Sequence, residues 1–288
     1  MKYSHIFRKP FLVLFLGATL TSCSSMISSA TNNMAKNLSS AITNNDDLAT
    51  VKAGAPAYLL MLDSFVEGDP EDPNMQIAAA KLYSAYAGVF VKDEARAKRL
   101  TQKSLNFALQ ANCLTLKSRC DLKTVEFKKF EKIIKQFEKE HINQLFTLGT
   151  SWAGWIQSRS GDWNAAADLG RVSKIMQHAL KLDETFQSGQ IHLYLGVLNT
   201  LLPPSLGGKP DIGKQHFEKA IKLSNNKNLM AKVIYAEKYA RLMFNQELHN
   251  KLLNDVLKTE PRSKGFTLTN MLAHEQAKEL LASGKDYF

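Results

Sequence analysis

A chain of 288 residues, 44% hydrophobic and 22% charged, has a globular balance and the length for one or two domains, which excludes wholesale disorder and fibrous architectures. A mean hydropathy of −0.23 with a single long apolar run excludes a polytopic membrane protein. The net charge of +10 is concentrated in no one stretch, and nucleic acid is not an expected partner.

Residues 1–22 read as an address. Lys2, Arg8 and Lys9 precede the uncharged run Phe11 to Leu20, and small residues follow, which is the layout of a secretory signal peptide. The run is too short for a comfortable membrane span. Leu20-Thr21-Ser22-Cys23 resembles a lipobox, so Cys23 is the expected acylated N-terminus. A cleaved soluble protein with an incidental cysteine is the other reading. Ser24 behind the cysteine favours the inner leaflet of the outer membrane, facing the periplasm. Removing residues 1–22 takes away three basic and no acidic residues and leaves +7.

Residues 23–48 are rich in Ser, Asn and Thr and read as a tether, with a weak helix over residues 34–42. Residues 49–288 form the expected domain. Pro56 fits a helix start and Gly68 its end. In the turn 69–73, Asp72 can cap a helix that has Pro73 in its first position. Ile77, Leu82, Tyr83, Tyr86 and Phe90 lie among alanines that permit close helix packing. Asp93 opens a partner helix carrying Ala97, Leu100, Leu105 and Ala108.

Cys113 and Cys120 can close a short loop as a disulfide in an oxidising compartment, although spacing alone leaves the pairing open. The absence of histidine between residues 93 and 140 argues against a metal there. Thr124 is the expected cap of one long amphipathic helix with the stripe Phe127, Phe130, Ile133, Ile134, Phe137, His141, Ile142 and Leu145. Its lysines 128, 129, 132, 135 and 139 alternate with Glu131, Glu138 and Glu140 as a solvated face. No comparable strand alternation occurs, so the fold class is all-α.

Tetratricopeptide-like (TPR-like) spacing recurs. Tyr194-Leu195-Gly196 fits a first helix, and Gly213, Phe217 and Ala220 fit its partner. The segment Leu201 to Gly208 makes the connection overlong. Gly154 to Ala179 shows a similar excess around Ser158 to Trp163, whereas Ala236, Tyr239, Leu248 and Leu252 keep normal length. Pairs that cannot bury their own apolar faces must stack, which predicts a TPR-like helical-repeat solenoid with a concave surface.

Catalytic motifs are missing. Gly207-Gly208-Lys209 lacks the spacing of a phosphate loop, and neither HExxH nor GxSxG occurs. His141, His178, His192, His216, His249 and His274 are scattered one per segment. The acidic pairs Asp46-Asp47, Glu71-Asp72 and Asp183-Glu184 are adjacent in sequence, which suits loops better than a shared reacting bond. No enzyme activity, metal or cofactor is expected.

Pro56 to Asp63, Leu82 to Gly88, His192 to Pro210 and Leu229 to Arg241 together resemble the TRAP transporter T-component family over most of residues 40–288. The resemblance implies a periplasmic, lipidated helical-repeat protein that associates with the solute-binding P-component. It further implies a homotrimer and a pore or cleft in each subunit holding an apolar small molecule. The alternative is an outer-membrane lipoprotein scaffold for envelope protein assembly.

Site candidates cluster at the overlong connections. Trp152 and Trp155, with Trp163, flank the first; Tyr194, Asn199, Leu202, Pro203, Pro204, Leu206, Gly207 and Gly208 form the second. Long inserts within repeats often project from the binding face. Leu202, Leu206 and Tyr194 are expected to border an apolar cavity, with Trp152 or Trp155 on its opposite wall. Tryptophans serving as ordinary repeat core remain the other reading.

Overall fold

The structure is a computed structural model that describes residues 33–34, 36–116 and 120–288. The signal segment and Cys23 lie outside the described residues. Of the first compact unit, which ends at Ser40, residues 33–34 and 36–40 are helical. All that follows concerns the second unit, Ala41–Phe288.

The described residues contain helices and no strand. Helix α1, Leu48–Gly68, starts well before Pro56. Asp47 caps it by accepting from the Ala49 amide at 2.9 Å. Pro56 therefore sits inside the helix and deprives the Lys52 carbonyl of its donor. Lys52 is exposed, so that carbonyl has access to water. Helix α2, Pro73–Phe90, begins as the sequence suggests: Asp72 accepts from the Asn74 amide at 2.7 Å. Helix α3, Glu94–Leu116, follows Asp93, which accepts from the Arg96 amide at 2.7 Å. Buried Ala79, Ala80, Ala108 and Ala111 let these two helices approach closely, and Ser104 donates across to the Ala80 carbonyl at 2.8 Å. A disulfide joins Cys113 to Cys120 at the end of α3.

The long helix expected from Thr124 is two helices. Helix α4, Phe127–Ile134, is capped by Glu126 instead, and α5, Ile142–Gln157, starts after a single turn of 3-10 helix at Lys139–His141. The break turns Phe137 inward, where it is 1% exposed. Freed backbone groups find side chains: His178 meets the Phe137 carbonyl at 2.8 Å, and His141 Nδ1 accepts from the Glu138 amide at 3.1 Å. Apolar periodicity records which residues are buried, and a bent path can bury the same set.

Short α6, Trp163–Ala167, leads into α7, Leu169–Leu182, then α8, Gln190–Asn199, and α9, Pro210–Leu223. Helix α10, Leu229–Tyr235, continues as one π-helical turn, Ala236–Ala240. Helices α11, Gln246–Lys258, and α12, Thr267–Tyr287, complete the unit.

Packing runs mainly between sequence neighbours. The largest apolar cluster extends from α2 to α8, and separate clusters bind α8 to α10 and α10 to α12. Small residues set the closest approaches. A Cβ added at Gly196 on α8 would stand 2.6 Å from the Phe217 ring on α9, and one at Gly149 on α5 would stand 2.6 Å from Met176 on α7. Helix α12 also touches α1. Beside that contact, Arg262 pairs with Asp46 at 2.9 Å and the Gly265 amide donates to Asn44 at 2.7 Å. No described helix is long and apolar enough to cross a membrane.

Candidate functional site

The connection between α8 and α9 holds its shape through its own backbone. The Leu206 and Gly208 amides both donate to the Pro203 carbonyl, at 3.0 and 3.1 Å, and the Lys209 amide closes the base on the Asn199 carbonyl at 3.0 Å. Gly207 has φ +85°, in the left-handed region. A Cβ on Gly208 would fall 1.7 Å from the Leu202 carbonyl oxygen, so only glycine fits. At its base the Asn199 side chain donates back to the Leu195 carbonyl at 2.7 Å.

A loop whose polar groups bond to each other leaves its apolar side chains to face outward. Leu202 and Leu206 are 48% and 66% exposed. Below them opens a shallow depression of about 310 Å³ between Pro204, Gly208, Pro210, Ile212 and Met243, with Lys209 and Asp211 as polar margins. Met243 arrives from the turn after the π-helical segment. Next to it Phe244, at φ +52°, is 65% exposed and rests on the rings of Tyr287 and Phe288, with centroids 6.1 and 5.4 Å away.

The tryptophans do not form the opposite wall of this depression. Trp152 is 0% exposed, meets the Phe130 ring edge-on at 6.0 Å, and donates its indole N–H to Asp168 at 3.0 Å. It is repeat core, because an indole with its donor satisfied inside packed side chains presents no surface. Trp155 is buried too and donates to Gln102 at 2.6 Å, with Lys123 Nζ and the Arg159 guanidinium 4.0 and 4.5 Å from its ring centre. Trp163 stands exposed on α6. Tyr194 packs edge-on against Phe146 at 5.7 Å, and burial pushes its phenol up to about 12. Asn199 serves the loop base. The cavity expected to join Leu206, Tyr194 and a tryptophan is thus replaced by an outward apolar face at the loop and a closed core beneath it.

Between α8 and α9 lies a histidine pair that sequence reasoning treated as scattered. His192 Nδ1 and His216 Nδ1 are 2.8 Å apart, and the Glu184 carboxylate lies 3.8 Å from His192 Nε2. Burial, with His216 second, lowers His192 to about 4. Among the described residues no three His, Cys, Asp or Glu side chains are placed to hold a metal. The apolar partners Ile212, Met243 and Phe244 were also missed. Met243-Phe244 just before the Asn245 cap was the available signal, but its proximity to the proline loop is a long-range contact.

Helices packed in succession behind an outward apolar face define a protein that works by contact with other molecules. A family model described as TRAP transporter T-component matches residues 44–288, and the chain belongs to that family. Membership implies an accessory role in TRAP transport, as the resemblance anticipated. No curated protein matches the chain.

Proposed function

We propose that the protein is a periplasmic lipoprotein, anchored through Cys23 to the inner leaflet of the outer membrane, that docks the solute-binding P-component and holds an apolar solute. A homotrimer and a TPR-like stack with a concave side belong to the same reading, supported by family membership and by the neighbour-to-neighbour packing.

The observation that carries the docking is the exposed apolar face. Leu202, Leu206, Ile212 and Met243 are each 40% or more exposed around one depression. Apolar surface left in water forgoes about 25 cal/mol per Å², and a partner that covers it recovers that energy. Lys209 and Asp211 supply the polar margin usual at protein interfaces.

Titration of the full chain in lipid nanodiscs with purified P-component tests this. Leu206→Asp is expected to raise Kd about tenfold while the circular dichroism spectrum stays unchanged. Equal affinity of the wild-type and Leu206→Asp chains would move docking elsewhere. No binding by the wild-type chain would favour the envelope scaffold.

A further inference from the structure

Lys81 on α2 is a charge without a counter-charge. Its ammonium donates to the Asn143 side-chain oxygen on α5 at 2.6 Å. All Asp and Glu residues of the chain are described, and none has a carboxylate oxygen within 4 Å of Lys81. Burial alone pulls its ammonium below the usual lysine range. Buried Lys232 shows the contrast, for it pairs with Asp255. An ammonium carries three donors, so two remain unused by Asn143.

What adjoins that ammonium is aromatic. Phe146 lies one helical turn beyond Asn143 on the same face of α5. Its ring meets Tyr194 edge-on at 5.7 Å and Phe186 at 5.3 Å. The Tyr194 hydroxyl makes no hydrogen bond among the described residues, and burial alone sets its raised pKa. One face of α5 therefore presents a cation with spare donors at one end and an aromatic surface with an unused hydroxyl at the other.

We propose that Lys81 and Asn143 form the head-group end of a binding site for a monoanionic amphiphile, a carboxylate on an apolar body that lies towards Phe146 and Tyr194. A single carboxylate supplies the missing charge and accepts the two spare donors, whereas a dianion would leave one charge uncompensated. The proposal rests on the reading that the protein holds a solute, and it adds that the solute is not wholly apolar.

Octanoate, with neutral 1-octanol as control, is titrated calorimetrically into the full chain in lipid nanodiscs, empty nanodiscs being subtracted. Saturable octanoate binding should weaken at least tenfold in Lys81→Met and largely return in Lys81→Arg, with 1-octanol binding changed less than twofold. Lys81→Met should melt no lower than wild type, because the change removes an uncompensated charge. Equal octanoate affinity in wild type and Lys81→Met would overturn the proposal while leaving a held solute intact. Absence of saturable binding for both probes would overturn both. P-component docking, titrated in parallel, should be untouched by Lys81→Met, so its failure is read separately.

Discussion

His192 on α8 and His216 on α9 face each other through their Nδ1 atoms at 2.8 Å, one ring donating and the other accepting. Such a bond exists only while one Nδ1 is unprotonated. Both rings are pulled below the ordinary histidine value, chiefly by burial, and His192 reaches about 4. The unfolded chain then binds more protons than the folded one between about pH 6.5 and 4. Stability from this pair is complete above pH 6.5 and is lost as pH falls towards 4. The slope is at most about 1.4 kcal/mol per pH unit for each proton. Melting temperatures measured from pH 7.5 to 4.5 should therefore fall on acidification, and His192→Gln should flatten that fall. An unchanged pH profile in the variant would place the acid sensitivity elsewhere.

Gly196 is required by contact with a ring rather than by backbone conformation. Its missing Cβ would stand 2.6 Å from Phe217, which is itself 0% exposed. Gly196→Ala is expected to cost about 1–3 kcal/mol by overpacking. Combining it with Phe217→Leu should recover part of that loss, because the two changes share one space. Urea denaturation of the single and double variants measures this; strictly additive losses would show that the space is not shared.

The Cys113–Cys120 disulfide spans a sequence separation of 7. Closing so short a loop removes unfolded-state entropy worth about 2–3 kcal/mol. Replacing both cysteines with serine should lower stability by that amount and leave the helical spectrum intact. Equal denaturation midpoints with and without the pair would refute it.

Much of this protein was legible from local chemistry. Asp72 before Pro73, and Asp93 before Glu94, are caps because a carboxylate two or three residues ahead reaches an unpaired amide. The close pairing of Gly196 with Phe217 was visible as repeat spacing, since helical periodicity puts small and aromatic residues at matching heights. Those signals suffice for helix type, for most helix starts, and, with the quoted segments, for the family.

Other features depended on partners far along the chain. The break after Ile134 follows from where Phe137 finds its cavity, and α7 supplies the His178 that satisfies its carbonyl. Trp152 read as a cleft wall because a tryptophan at an overlong connection is ambiguous. Asp168 and Phe130 close around it and make it core. Whether Leu206 points inward or out was decided by the hydrogen bonds that fold the loop on itself, and Ile212 and Met243 then extend its apolar face. Lys81 looked like any helix-surface lysine; only the packing of α2 on α5 encloses it without a carboxylate. Periodicity and caps act over one or two helical turns, so sequence determines them directly. Enclosure and charge pairing depend on residues that only folding brings together, and the tertiary structure alone decided those.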